Sequence, residues 1–95
     1  MIIDTPYKNG DTVSLKLSSG EEVVGRLEEE TATGFKLNKP LMLTMSQQGI
    51  GLAPFMFTAN PDTNITIASD KVICAVKTID EMAKQYISST TGIVT

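Results

Sequence analysis

Residues able to perform covalent or metal chemistry are few in this chain. Histidine, the commonest general base at neutral pH and the commonest transition-metal ligand, does not occur. The single cysteine, Cys74, lies in an alternating apolar run and is interpreted as a small core residue rather than a nucleophile. The acidic run Glu28, Glu29 and Glu30 lacks the interspersed turn residues of cation-binding loops, which favours a solvated strand end. We therefore expect no enzymatic activity, no metal and no cofactor.

Composition predicts one ordinary globular domain spanning residues 1–95. The chain has 41% apolar and 20% charged residues and a net charge of −3. No apolar run reaches the length of about 20 residues that a membrane-spanning helix needs. The N-terminal residues lack the basic region and long apolar core of a signal peptide. Because one cysteine cannot form an internal disulfide, a cytoplasmic location is expected.

The elements that would position any site are mostly strands. Val13, Leu15 and Leu17 alternate with polar residues, which is typical of a half-buried strand. A Ser-Ser-Gly turn at 18–20 precedes a return strand at 22–27. Within 35–45 the apolar residues again fall mostly at alternate positions, which predicts a third strand. Two further short strands are predicted within 65–77. Hairpin-linked strands with glycines at the bends predict a small, strongly curved β-barrel.

Near the C-terminus the apolar period changes from that of a strand to that of a helix, predicted at about 79–89. Thr78 and Glu81 fit a capping box at its start. The helix could bind a partner or cap an open end of the barrel, and the short apolar stripe favours the cap. The stripe is formed by Ile79, Met82, Ala83, Tyr86 and Ile87.

Two segments resemble the Sm and Lsm proteins, a superfamily that includes the bacterial RNA chaperone Hfq. The run Gly20-Glu-Glu-Val-Val-Gly25, followed by Arg26-Leu27, is similar to the first Sm motif, and residues 65–76 are similar to the second. The resemblance covers about 11–77. It implies a mainly β fold with a small, strongly bent five-stranded Sm-like (SH3-like) barrel, to which this chain adds a C-terminal α-helix. A divergent, phage-type member is expected.

The resemblance also implies a homo-oligomeric ring of about five to seven copies, because head-to-tail strand pairing must close on itself or grow into a filament. In the family the last strand pairs with an edge strand of the next subunit. In this chain that strand has no charge or proline to prevent such pairing. The predicted interface residues are Val72, Ile73, Cys74, Ala75 and Val76.

Sm proteins bind single-stranded RNA between two loops that carry an aspartate, an asparagine and an arginine-glycine pair. The corresponding positions here fall near Thr31, near Phe35 and within 68–70, so the signature groups are missing. Hydroxyls, one lysine and one aromatic ring remain as candidate contacts, which predicts weak RNA binding near several acids. The aromatic ring begins an alternating apolar strand, so a core position is the favoured alternative for it. The alternative is a non-catalytic, viral-like scaffold ring that has lost RNA binding. The candidate contacts are Thr31, Thr33, Phe35, Ser69 and Lys71.

The segment 50–57 is too apolar for an ordinary exposed loop. One interpretation extends the fourth strand through it, with a contribution to packing between subunits. The other makes it a binding patch for a protein partner, since aromatic residues and methionine are enriched at interface cores. Its principal apolar residues are Leu52, Phe55, Met56 and Phe57.

Overall fold

A computed structural model describes residues 7–56, 58–60 and 62–90. Within them the chain is mainly β, with six strands, one 3₁₀ turn and one C-terminal α-helix. The elements are β1 (Thr12–Leu17), β2 (Glu22–Glu30), β3 (Gly34–Ser46), β4 (Gly49–Pro54), β5 (Asn64–Ala68), the 3₁₀ turn (Ser69–Lys71), β6 (Val72–Lys77) and α1 (Asp80–Thr90). No helix in these ranges is long and apolar enough to cross a membrane.

The strands form one antiparallel sheet in the order β4-β3-β2-β1-β6, and β5 also pairs with β3. Strand β3 is long enough to hold two neighbours on the edge that faces away from β2. Its first half pairs with β5, where Asn38 lies opposite Asn64, and its second half pairs with β4, where Leu41 lies opposite Pro54. The sheet bends without closing into a complete barrel.

The expected β-rich fold with a C-terminal helix is confirmed, but the number of strands differs from the prediction. Six strands are present in the described ranges rather than five, because part of the apolar middle segment forms its own strand, β4. This strand ends at Pro54 and does not include Phe55 or Met56, to which one interpretation of the sequence extended it. Proline has no amide to donate, so a strand end suits it. Phe57 lies outside the described residues.

The core lies on the concave face of the sheet. Side chains from β1, β2, the first half of β3 and β5 meet there, as the alternating sequence predicted. Tyr7, Phe55, Ile65, Val72 and Ala75 pack around this cluster. The core residues are Val13, Leu15, Leu17, Val23, Leu27, Phe35, Leu37 and Ile67.

A β-bulge in the pairing of β2 with β3 forms the surface on which α1 docks. The register shifts between Val24 and Arg26, opposite the part of β3 that contains Lys39. Lys39 has a φ of 51°, which only a few per cent of non-glycine residues adopt. The Tyr86 hydroxyl of α1 donates to the Asn38 carbonyl at 2.6 Å and accepts from the Arg26 amide at 3.1 Å. The helix therefore satisfies backbone groups that the bulge leaves unpaired.

The helix differs from the prediction in two details. It begins at Asp80, and the Thr78 hydroxyl lies 2.8 Å from the Ser14 hydroxyl, so Thr78 ties the end of β6 to β1 instead of forming a capping box. Tyr86 is buried, whereas Ile79 is 67% exposed and Ile87 is 49% exposed. The apolar stripe is docked mainly through Tyr86, since the bulge accepts only that part of the helix.

Candidate functional site

The turn between β2 and β3 lies against the 3₁₀ turn between β5 and β6, and together we call them the rim. The Ser69 amide donates to the Thr33 carbonyl at 3.0 Å, and the Ser69 hydroxyl donates to the Ala32 carbonyl at 3.2 Å. Thr31, Thr33 and Ser69 are therefore close together, and Lys71 lies in the same 3₁₀ turn as Ser69. Four of the five predicted RNA contacts thus come from two touching turns.

Hydroxyl groups of the rim are partly used by the rim itself. The Thr31 hydroxyl accepts from the Gly34 amide at 3.2 Å and from the Thr33 amide at 3.3 Å, which closes the β2–β3 turn. Thr31 and Ser69 therefore hold the turns in place. The ammonium group of the exposed Lys71 is the rim cation best placed to meet a phosphate.

The prediction that Phe35 offers a stacking face is wrong. Its side chain is 6% exposed and packs in the core, directly across from Ile67 of β5. The cause is strand geometry: Phe35 shares the inward parity of Leu37, so its ring points away from solvent. The rim therefore lacks the aromatic platform on which single-stranded bases usually stack.

Acidic groups surround the rim. Glu29, Glu30 and Asp70 are exposed, and Lys36 lies opposite Glu29 across the β2–β3 ladder. The Tyr7 hydroxyl donates to a Glu30 carboxylate oxygen at 2.9 Å. Burial raises the pKa of Tyr7, and the bond to the Glu30 carboxylate raises it further. The rim is therefore a poor electrostatic match for a phosphate chain, which binds through cations.

Arg26, a cation in the middle of β2, is already paired. Its guanidinium lies 2.7 Å from a carboxylate oxygen of Glu28. The described ranges contain no group of three acidic, cysteine or histidine side chains arranged to hold a metal ion.

Two strand edges form a second candidate site. Among the described residues, β6 pairs only with β1, and β4 and β5 each pair only with β3, so each of these three strands has one free edge. The edges of β5 and β6 are the two that could join neighbouring copies. In the predicted interface strand, Val72 and Ala75 pack partly against the core, whereas Ile73 is 66% exposed and Val76 is 49% exposed. Cys74 is exposed as well and is not the core residue that the sequence suggested. Its alternation places it on the outer face, away from Ala75.

The apolar middle segment is only partly covered. Leu52 is half-buried, Phe55 packs on the edge of the core, and Met56 is 46% exposed. A cavity of about 310 Å³ lies between these residues, the second half of β3 and the end of α1. Methionine is enriched at the cores of protein–protein interfaces, and here Met56 lies beside a largely apolar cavity.

The comparisons with known proteins add no identification. No protein-family model matches the chain, and no curated protein matches its sequence.

Proposed function

We propose that this chain is an Sm-like subunit that assembles head-to-tail into a ring through β5 and β6. The observation that carries this proposal is that β5 and β6, at different places in the sheet, each have a free edge. An edge strand presents unpaired amides and carbonyls to any strand that can reach it. The free edge of β6 would pair with the free edge of β5 in the next copy. Similarity of two segments to the Sm motifs supports the same arrangement.

Side chains at the two edges favour this pairing. Strand β5 carries no charge, and the only charge in β6 is Lys77 at its end. Ile73 is exposed in the isolated chain, and pairing with another sheet would cover it. Because the two edges are different surfaces, the contact is heterologous and must close to avoid a filament. The family resemblance favours closure with about five to seven copies.

As the activity of this ring, we propose weak contact with single-stranded RNA at the rim. The groups that would contact RNA are the Lys71 ammonium and the exposed Thr33, supported by Thr31 and Ser69. Weak affinity follows from a single well-placed cation among acids and from the burial of Phe35. We expect sequence-tolerant binding that weakens as the salt concentration rises, because the contact is electrostatic.

A ring that serves as a protein scaffold is the second candidate function. Two observations favour it: the buried Phe35 leaves the rim without a stacking face, and Met45, in the β3–β4 hairpin, is 83% exposed. Apolar exposure away from the rim would place partner contacts on the outer surface of the ring.

Light scattering at micromolar concentration tests assembly. We expect the mass of about five to seven chains of 10.2 kDa each. Ile73→Lys should reduce the mass, because a charge buried between two strands loses its hydration without gaining a partner. Ile87→Lys is the matched control, since Ile87 is also an exposed isoleucine but lies in α1. Wild-type protein with the mass of one chain would overturn the ring.

Fluorescence anisotropy with labelled uridine- or adenine-rich single strands tests the RNA contact. We expect micromolar or weaker binding at low salt, weakened by Lys71→Ala and strengthened by Asp70→Asn, which removes an acidic neighbour. Nanomolar binding that neither change alters would place the RNA site elsewhere. No binding at low salt by an assembled ring would leave the scaffold function.

A further inference from the structure

Residues at the end of β4 and just after it form an apolar surface together with β3 and β5. Pairing of β5 with β6 does not by itself assign a role to this surface. The cavity of about 310 Å³ is lined on its apolar side by Leu41, Leu52, Phe55 and Ile65. Met56 lies at its border and is 46% exposed. Lys39 and Asp62, whose charged atoms lie 3.6 Å apart, also line the cavity. This surface is concave and largely apolar, and its two charged side chains have opposite signs.

A second apolar surface surrounds the passage from β6 into α1. Ile79 is 67% exposed and Val76 is 49% exposed, so neither side chain is fully covered within its own chain. Both border a shallow groove of about 280 Å³. Ile79 projects beyond β6 with Lys77 and Asp80 close to it in sequence, so this surface also carries one charge of each sign.

Sheet topology brings these two surfaces together when copies pair. Strands β5 and β4 follow one another along the same edge of β3, with Asn64 opposite Asn38 and Pro54 opposite Leu41. A strand that pairs antiparallel with β5 therefore runs in the same direction as β3. After passing Asn64 of the neighbouring copy, this strand reaches the end of that copy's β4 and the connection that follows it.

Strand β6 of an adjacent copy would follow this path with its C-terminal end leading. Lys77 would lie near the start of the neighbour's β5, and Thr78 and Ile79 would come next. We propose that Ile79 of one copy packs against the apolar cavity beside Phe55 and Met56 of the next copy. The segment 52–56 is then a contact between subunits and not a binding site for a different protein. This inference rests on the proposed ring.

The same contact cannot form within one chain. Ser89 and Thr90, at the end of α1, line the cavity of their own chain, while Ile79 precedes the other end of that helix. At a rise of 1.5 Å per residue, α1 separates the two positions by about 16 Å. Within one chain Ile79 therefore does not reach this cavity, whereas in the proposed ring the neighbouring copy brings its own cavity to Ile79.

The first test compares Ile79→Glu with Ile87→Glu. Both isoleucines are exposed, so both variants should keep the far-ultraviolet circular dichroism of the wild type. Light scattering over a dilution series should show that Ile79→Glu raises the dissociation midpoint at least about tenfold, since a carboxylate at an apolar contact costs more than about 1.4 kcal/mol. Ile87→Glu should leave the midpoint unchanged. Equal midpoints for Ile79→Glu and the wild-type ring would overturn this inference but not the ring.

A second test uses site-specific crosslinking in a Cys74→Ser background, which removes the only natural thiol. One chain carries Ile79→Cys and the other carries Ala59→Cys, at a residue that lines the cavity. Oxidation of the mixture should produce a two-chain product that neither chain forms alone. A ring that assembles normally but yields no mixed product would contradict the contact, whereas a monomeric wild type would contradict the ring itself.

Discussion

Removing the Tyr86 hydroxyl tests how α1 is held on the sheet. The hydroxyl bonds to the Asn38 carbonyl and to the Arg26 amide, and the Lys39 carbonyl lies 3.1 Å away. Tyr86→Phe keeps the aromatic ring buried at the same place but removes the hydroxyl to which these backbone groups bond. An unsatisfied buried group costs about 1–3 kcal/mol, so we expect a loss of about 2 kcal/mol. Tyr86→Ala should cost more, about 3–5 kcal/mol, because it also opens a cavity.

Tyr7→Phe provides the matched control, because it removes the same atom from a different environment. The Tyr7 hydroxyl bonds to the exposed Glu30 carboxylate, which water can solvate when the bond is lost. We expect a change of less than about 0.5 kcal/mol for this variant.

Thermal or urea unfolding, followed by circular dichroism, measures both changes. All samples must have the same chain concentration, because assembly adds to apparent stability. For a domain of this size a loss of 2 kcal/mol corresponds to a fall in Tm of about 8–16 °C. Equal midpoints for Tyr86→Phe and Tyr7→Phe would refute the conclusion that Tyr86 satisfies the bulge.

Three further predictions concern the same framework. Thr78→Val should cost about 1 kcal/mol in urea unfolding, because Ser14 loses its buried hydroxyl partner. Gly34→Ala should cost about 1–3 kcal/mol in the same assay, since the added Cβ would lie 2.7 Å from the Thr66 methyl group. Burial raises the pKa of Tyr86, so the unfolded chain ionises first and stability should fall as the pH rises above about 10. Subtracting the pH profile of Tyr86→Phe isolates this effect, and identical profiles would contradict it.

Several features could be predicted from the sequence because they depend on local period and side-chain type. The alternation of Val13, Leu15 and Leu17 placed β1 and its inward face correctly, and Tyr86 was correctly placed on the docked stripe of α1. The contact between the β2–β3 turn and the 3₁₀ turn brings Thr31, Thr33 and Ser69 together. This grouping was implied by the resemblance to the Sm motifs and not by any local pattern. Phe35 was named as a candidate RNA contact, although its place in an alternating apolar strand already favoured the core, where it lies.

Other features required the tertiary structure. Strand period shows which side chains share a face, but it does not show which strand lies at each edge, so the free edges of β5 and β6 were visible only in the sheet. The conformation of Lys39 was also unexpected, because its φ of 51° belongs to a bulge that is stabilised by Tyr86 from a distant part of the chain. Local residue preferences determined the strands and the helix. Long-range pairing decided how β3 is shared between β4 and β5. Backbone amides and carbonyls are the same in every residue apart from proline, so the local sequence does not specify which strand they bond to.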